Sequence, residues 1–372
     1  MKLYINLLNF CDEKLAGVGY YFKRIISSLD FDDPDWELFE EIILLTSDKV
    51  DAFSLFDIKQ SKKITIKRVK LMNNVFFRIL YEQIYLPLNL LFCKGVFFSP
   101  TPAIPLLLNK VNKKMRVIPT IHDMIPFKVS NKYTFFRSIY VKSISLLAAK
   151  LGSNIITVSD FSRRDIAHIS KVNPNKISVV YNFVTEFNHE TKFSDNSYFL
   201  TLSTIEPGKN IENMLRGFAD FLIKYPMYSQ MRYKFAGKLG WNYDRILQLV
   251  GELNLNDKVD FLGYVNDDEK AQLLSECTAI VYLSLYEGFG IPPLEGMYFN
   301  KVSIVSDNSS LPEVVGKAGI IQNVMDYRLL SENMNKVIQE KDSYTKYIPA
   351  QIKKFNSLQE IQKFKSVLKF TK

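Results

Sequence analysis

Short runs of β-branched and aromatic residues alternate along this chain with longer stretches whose apolar residues recur every three to four positions. The short runs predict strands at residues 2–8, 41–46, 64–69, 95–98, 117–121, 154–158 and 177–181. A second series falls at 198–203, 233–236, 259–262, 279–283, 302–305 and 319–321. The longer patterns predict helices at 17–29, 76–91, 135–151, 161–169, 211–224, 242–253, 267–276, 294–298 and 332–340. Strands that alternate with helices form parallel sheets covered on both faces, so two such series predict an α/β protein of two doubly wound domains. Between the series, residues 183–197 are polar and follow neither period, as a linker does. The predicted organisation is a domain over 1–182, a linker over 183–197, a domain over 198–354, and a terminal helix over 355–372. The apolar stripe of that helix (Leu358, Ile361, Phe364, Val367, Leu368) could pack back on the first domain.

Composition agrees with a folded chain. Apolar residues make up 47% and charged residues 23% of 372 positions, which excludes disorder and fibrous repeats. Cys11, Cys93 and Cys277 are odd in number and far apart, so no disulfide framework or zinc motif is expected and the chain reads as intracellular. The first residues are too short and too polar downstream for a signal peptide. The most apolar window, 85–108, holds Asn89, Lys94 and four prolines, which excludes a bilayer-spanning helix.

Charge is distributed unevenly. Of a net +9, residues 1–58 carry −7 and residues 59–150 carry +15, with Glu82 and Asp123 the only acids in the second stretch. Such a block suits an anionic partner, whether nucleic acid, membrane surface or phosphorylated substrate; a solvated basic face without a partner is the plain alternative. Lys62, Lys63, Lys67, Arg68 and Lys70 are its densest part, just before the aromatic-rich 76–91 pattern.

The sharpest motif follows the predicted strand 279–283. Glu287-Gly288-Phe289-Gly290-Ile291-Pro292-Pro293-Leu294-Glu295 is a glycine loop running into a helix start marked by two prolines. Loop amides and a helix N-terminus at the carboxyl end of a parallel strand make a place for an anion or a hydroxyl-rich group. Glu287 and Glu295 flank it with seven residues between them, and both can accept hydrogen bonds from sugar hydroxyls.

This string resembles the E-x7-E signature of the retaining glycosyltransferases of family 4. Further segments resemble that family in the same order: Ile156-Thr157-Val158-Ser159, Ser203-Thr204-Ile205-Glu206-Pro207-Gly208-Lys209-Asn210, Phe235-Ala236-Gly237-Lys238, Asp260-Phe261-Leu262-Gly263, and Ser306-Asp307 through Ser310-Leu311-Pro312-Glu313. The resemblance implies a GT-B fold, two Rossmann-like domains facing each other across a cleft, with the acceptor bound by the first and the nucleotide-sugar by the second. It implies a catalytic set of Glu287, His122 and Lys209, with Lys209 on the donor diphosphate. Donor contacts are implied at Gly17, Gly19, Thr204, Gly237, Lys238, Leu262, Gly288, Phe289, Gly290 and Glu295, the last on the nucleotide ribose. Gly208 stands where the family often has an arginine. Gly17-Val18-Gly19 lacks the third glycine of a dinucleotide fingerprint, since Phe22 stands there.

The implied reaction is front-face displacement with retention, closure of the domains over the donor, and no metal, because no Asp-x-Asp pair lies in a suitable place. The mannosyltransferase-like members are most similar, which favours GDP-mannose as donor, with UDP-sugars as the alternative. The implied acceptor is a lipid-diphosphate-linked oligosaccharide of bacterial surface polysaccharide (O-antigen or capsule) synthesis, reached by a cytoplasmic enzyme held peripherally on the anionic inner membrane by the basic block. No nucleic-acid partner is expected, since no helix-turn-helix, RRM or zinc pattern is present. A basic nucleic-acid-binding protein, or a non-catalytic binder of nucleotide-sugars, are the readings from other classes.

Overall fold

A computed structural model describes residues 1–11, 15–70, 75–129, 134–184 and 197–369. The chain divides into two compact units: Met1–Asn182 together with Ser357–Lys372, and Phe183–Asn356. Of the linker predicted at 183–197, residues 185–196 lie outside the described residues.

The first unit holds β1 (Lys2–Asn6), β2 (Glu41–Ser47), β3 (Ile64–Val69), β4 (Gly95–Ser99), β5 (Met115–Pro119), β6 (Ile155–Thr157) and β7 (Ile177–Val179). The sheet order is β3-β2-β1-β4-β5, all parallel, and a bridge between Thr120 and Ile156 leads on to the β6–β7 pair. The second unit holds β8 (Tyr198–Leu202), β9 (Arg232–Ala236), β10 (Val259–Gly263), β11 (Ala279–Tyr282), β12 (Ser303–Ser306) and β13 (Ile320–Gln322), in the order β10-β9-β8-β11-β12-β13. In each sheet the order reverses beside the first strand, between β1 and β4 and between β8 and β11. Open parallel sheets bind ligands at such points, outside the carboxyl ends of the strands.

Strands buried on both faces explain why the sequence reads as continuous apolar runs. On β8, Phe199 packs with Phe218, Phe221 and Tyr233 on one face, while Tyr198, Leu200 and Leu202 join Ile280 and Met297 on the other. The helix Ser357–Lys369 belongs to the first unit. Its Lys365 and Lys369 pair with Asp35 at 2.8 and 2.9 Å, and Arg116 donates to its Val367 and Leu368 carbonyls. Those two lysines hold the Asp35 carboxyl down at about 2.

The structure departs from the sequence reading in three places that bear on the site. β1 ends at Asn6 rather than residue 8, because the Asn6 side chain turns back to accept from the Leu8 amide and to donate to Glu82 and Ala103. β5 lies two residues earlier than expected. The Thr120 amide makes the last bond to β4, at the Ser99 carbonyl, and Ile121 donates instead to Ile156. The helix expected over 76–91 is broken into Val75–Leu80, a π-helical turn Tyr81–Tyr85, and Leu86–Asn89. Pro87 has no N–H for the Gln83 carbonyl, and the wider turn accommodates that missing bond.

Candidate active site

The second unit's reversal point is where the signature residues meet. After β8 the chain runs through the 3-10 turn Pro207–Lys209, and Asn210 adopts a left-handed conformation (φ 57°) before the helix Ile211–Lys224 begins. Lys209 therefore precedes the helix rather than opening it. The Leu285 amide, just past β11, donates to the Gly208 carbonyl at 2.9 Å, which ties the two loops together. Across that tie the Lys209 ammonium pairs with Glu287 Oε1 at 2.5 Å, and the Tyr282 hydroxyl donates to the same oxygen at 2.9 Å.

Burial disfavours charge on both partners, and the pairing overrides it. Desolvation pulls the Lys209 pKa down, but the Glu287 carboxylate and the Tyr282 hydroxyl carry it above the usual lysine range. Desolvation likewise pushes Glu287 up, and Lys209 brings it below the usual carboxylate range. The result is a charged pair in a place poor in water, where each charge acts strongly on an approaching ligand.

The loop after Glu287 is fixed from behind. The Ser310 hydroxyl lies 3.0 Å from the Glu287 carbonyl and 2.8 Å from that of Phe289, so it holds the loop from the Ser310–Glu313 segment. Gly290 turns the chain with φ +98°, where a side chain would be strained and would overlap Leu311. Pro292 and Pro293 carry no N–H, so donors at the start of helix Ile291–Tyr298 come from Gly290, Ile291 or the loop before it. Glu295, on this helix, is 3% exposed, and Lys270 Nζ lies 3.1 Å from its Oε1.

Three further loops end at the same edge of the sheet. The Gly237 amide donates to the Gly263 carbonyl at 2.7 Å, and the Ile205 amide to the Lys238 carbonyl at 2.9 Å. Gly237 has φ +154°, and a Cβ there would overlap the Ser203 carbonyl oxygen. Thr204, Lys238 and Leu262 are exposed along this edge, with the Lys238 ammonium 5.6 Å from the Tyr264 ring centre.

In the first unit, Gly17 and Gly19 open the helix Gly17–Ser27. Tyr21 of that helix meets His122 edge-on at 5.0 Å. His122 Nε2 lies 3.0 Å from the Pro100 carbonyl at the end of β4. A carbonyl only accepts, so Nε2 carries the proton and Nδ1 is the open acceptor. Burial pushes the His122 pKa down from 6.5 to about 4, against the pull of that hydrogen bond, so the ring is neutral at pH 7.

The basic residues on and beside β3 differ in exposure. Lys62, Lys67, Arg68 and Lys70 are exposed, whereas Lys63 is partly covered and donates to the Trp36 carbonyl. Lys67 lies 5.9 Å from the Tyr85 ring, so this edge adjoins the broken helix. That helix and the segments near it present Phe76 (61% exposed), Phe92 (90%) and Phe136 (83%) to solvent, with Ile84 and Leu88 beside them. No helix among the described residues is long and apolar enough to cross a membrane, and no three His, Cys, Asp or Glu residues converge as a metal would need.

Sequence reasoning missed Lys270. It sits in the acidic first turn Asp267-Asp268-Glu269 and reads there as a surface helix charge; only the packing of two helices brings it to Glu295.

Known proteins share these features. A family model described as glycosyl transferases group 1 matches residues 183–354, and one described as glycosyltransferase family 4 matches residues 96–186. The chain is 32% identical over 242 residues to O-antigen chain mannosyltransferase B of Escherichia coli, covering 60% of this chain and 62% of that protein. It is 30% identical over 228 residues to O-antigen chain mannosyltransferase RfbU of Salmonella typhimurium, covering 61% and 62%. The matches thus span less than two thirds of these relatives' length. Among solved structures, HepE of Anabaena with UDP and glucose superposes with a TM-score of 0.71 at 15% identity over the whole of both chains. A sucrose-phosphate synthase from Thermosynechococcus elongatus superposes at 0.75 and 15% identity over 98% of each. The two family models, consecutive over residues 96–354, and the paired parallel sheets place the chain in the family 4 (group 1) glycosyltransferases, with the GT-B fold.

Proposed function

We propose that the protein is a glycosyltransferase that moves a mannosyl group from GDP-mannose to a lipid-diphosphate-linked oligosaccharide, with retention at the anomeric carbon, in bacterial surface polysaccharide synthesis. The observation that carries the reaction class is the Lys209–Glu287 pair at the reversal point of the second sheet. The choice of mannose rests on the two O-antigen mannosyltransferases at 30–32% identity.

In this reading Lys209 shifts part of its charge from Glu287 to the departing diphosphate, whose negative charge grows as the bond to the sugar breaks. Preformed charges stabilise such a transition state without rearranging. Glu287 orients the sugar, the loop through Gly288, Phe289 and Gly290 lies along the diphosphate, and Glu295 accepts from the ribose. Gly237, Lys238, Thr204 and Leu262 border the base; Gly17, Gly19 and neutral His122 are assigned to the transferred sugar. The leaving diphosphate takes the acceptor proton, so no carboxylate is needed as nucleophile and no metal to balance charge.

For the acceptor, the basic edge and the exposed aromatic residues beside it suit an anionic membrane. Lysines near such a surface each contribute about 1 kcal/mol, and apolar rings add to this by burial in the interface. The enzyme then works peripherally on the cytoplasmic face.

The test is a melting-temperature screen with GDP, UDP, ADP and dTDP, each with and without EDTA. A nucleotide at a hundred times its Kd adds about 2.7 kcal/mol of stability. An EDTA-insensitive shift with GDP, followed by mannosyl transfer from GDP-mannose, is expected. A shift with UDP alone overturns the donor, as the UDP bound in HepE would suggest. No shift with any nucleotide overturns the enzyme reading.

A further inference from the structure

Glu295 is not alone in its pocket. It is 3% exposed, on the helix Ile291–Tyr298, and its Oε1 lies 3.1 Å from the ammonium of Lys270 on the neighbouring helix Asp267–Glu276. Lys270 also pairs with Asp267 at 3.0 Å on its own helix, so one ammonium is held at two points. Its charge survives partial burial: desolvation lowers its pKa, but Glu295 and Asp267 together raise it above the ordinary value.

An ammonium on one oxygen fixes the plane of the carboxylate, and the two oxygens of a carboxylate together offer about four acceptor positions, more than one ammonium takes. The pair also cancels a negative charge that would otherwise stand near a bound diphosphate, as Lys209 does for Glu287.

We infer that Lys270 is a positioning residue for donor recognition: it fixes the orientation of the Glu295 carboxylate so that it accepts from the nucleotide's ribose diol. This rests on the assignment of Glu295 to the ribose made above, and it adds a residue outside the recognised signature.

The experiment compares affinity for GDP and for 2′,3′-dideoxy-GDP by calorimetry, with the UDP pair in parallel, on the full chain and on Lys270→Met and Lys270→Arg. A charge-assisted hydrogen bond is worth about 1.5–3 kcal/mol, so the unaltered protein should prefer the ribonucleotide at least about tenfold. Lys270→Met should lose most of that preference, bringing the ratio within about threefold of unity, and Lys270→Arg should restore it. A lysine that only props the fold would lower the melting temperature and weaken both nucleotides alike, leaving the ratio intact; that result overturns the inference. If the unaltered protein does not discriminate, the assignment of Glu295 itself fails. If Lys270→Met does not fold, the Arg variant and Lys270→Gln decide by the same ratio.

Discussion

The two units share one topology and differ in chemistry. Both sheets reverse order beside their first strand, yet the second unit lines that point with lysine–glutamate pairs and the first with Asn6, bonded to the buried Glu82, and a neutral histidine. Lys209–Glu287 stands past the carboxyl ends of β8 and β11, and Lys270–Glu295 joins the helices that follow β10 and β11. Near the ends of β1 and β4 stand Asn6, Gly17, Gly19 and a histidine kept neutral. The first unit's charge lies instead on its outer edge. Strand order thus supplies a place for a ligand, and the loops decide which ligand. The first unit should respond to changes of shape and surface, and the second to changes of charge.

The sharpest way to break this contrast is at Lys209. Lys209→Ala should lower kcat/KM about 10²–10³-fold, the usual loss when a preformed charge is withdrawn from a transition state. Glu287→Gln should also lower stability by about 1–3 kcal/mol, since its amide oxygen still accepts from Lys209 but leaves a partly buried ammonium without a counter-charge. Replacing both, as Lys209→Met with Glu287→Leu, should recover most of the melting temperature and none of the activity. A double variant that remains active would place the chemistry elsewhere.

A smaller effect is expected at Gly290. Gly290→Ala forces a side chain into φ +98° and against Leu311, at a cost of about 2 kcal/mol, read by urea unfolding.

His122 tests the first unit through pH. Its pKa is about 4 in the folded chain and about 6.5 when unfolded, so between those values the unfolded chain binds more protons. Stability is therefore full above pH 6.5 and falls as pH drops towards 4. At pH 5.5 the loss should be about 1.4 kcal/mol relative to pH 8. His122→Gln, which can still donate to Pro100, should remove that acid sensitivity. An unchanged acid profile would show that the ring is not held neutral.

The smallest effect on stability belongs to the outer edge. Glu in place of Lys62, Lys67 and Lys70 should change folding stability by less than about 0.5 kcal/mol per site. The same change should abolish sedimentation with vesicles containing phosphatidylglycerol. Sedimentation that persists equally with neutral vesicles would remove the electrostatic part of the membrane reading.

Much of this was legible before any coordinates. The described strands follow from short apolar or β-branched runs, whose length and bounding polar turns, rather than any period, set them apart from helices. The Glu287–Glu295 loop announces itself by glycine and proline, whose backbone demands are local. What stayed hidden is what depends on distance in sequence. Lys209 and Glu287 are 78 residues apart, and their pairing is visible only through the Leu285–Gly208 bond. Lys270 looked like one more charge on a capped helix. The helix over 76–91 read as continuous because periodicity registers the apolar face and not the carbonyl that Pro87 leaves unbonded. The basic cluster read as one patch, whereas the chain turns Lys63 inward to Trp36 and the others outward.

The terminal helix has a consequence for the order in which the protein is made. Ser357–Lys369 seats Phe364 against Phe98 and its lysines against Asp35, so the first unit is assembled from segments that precede and follow the second. During synthesis residues 183–356 leave the ribosome complete while the earlier unit still lacks its last helix. The unit begun first is completed after the second, and until residues 357–369 emerge it exposes the apolar seat around Phe98 to chaperones and proteases.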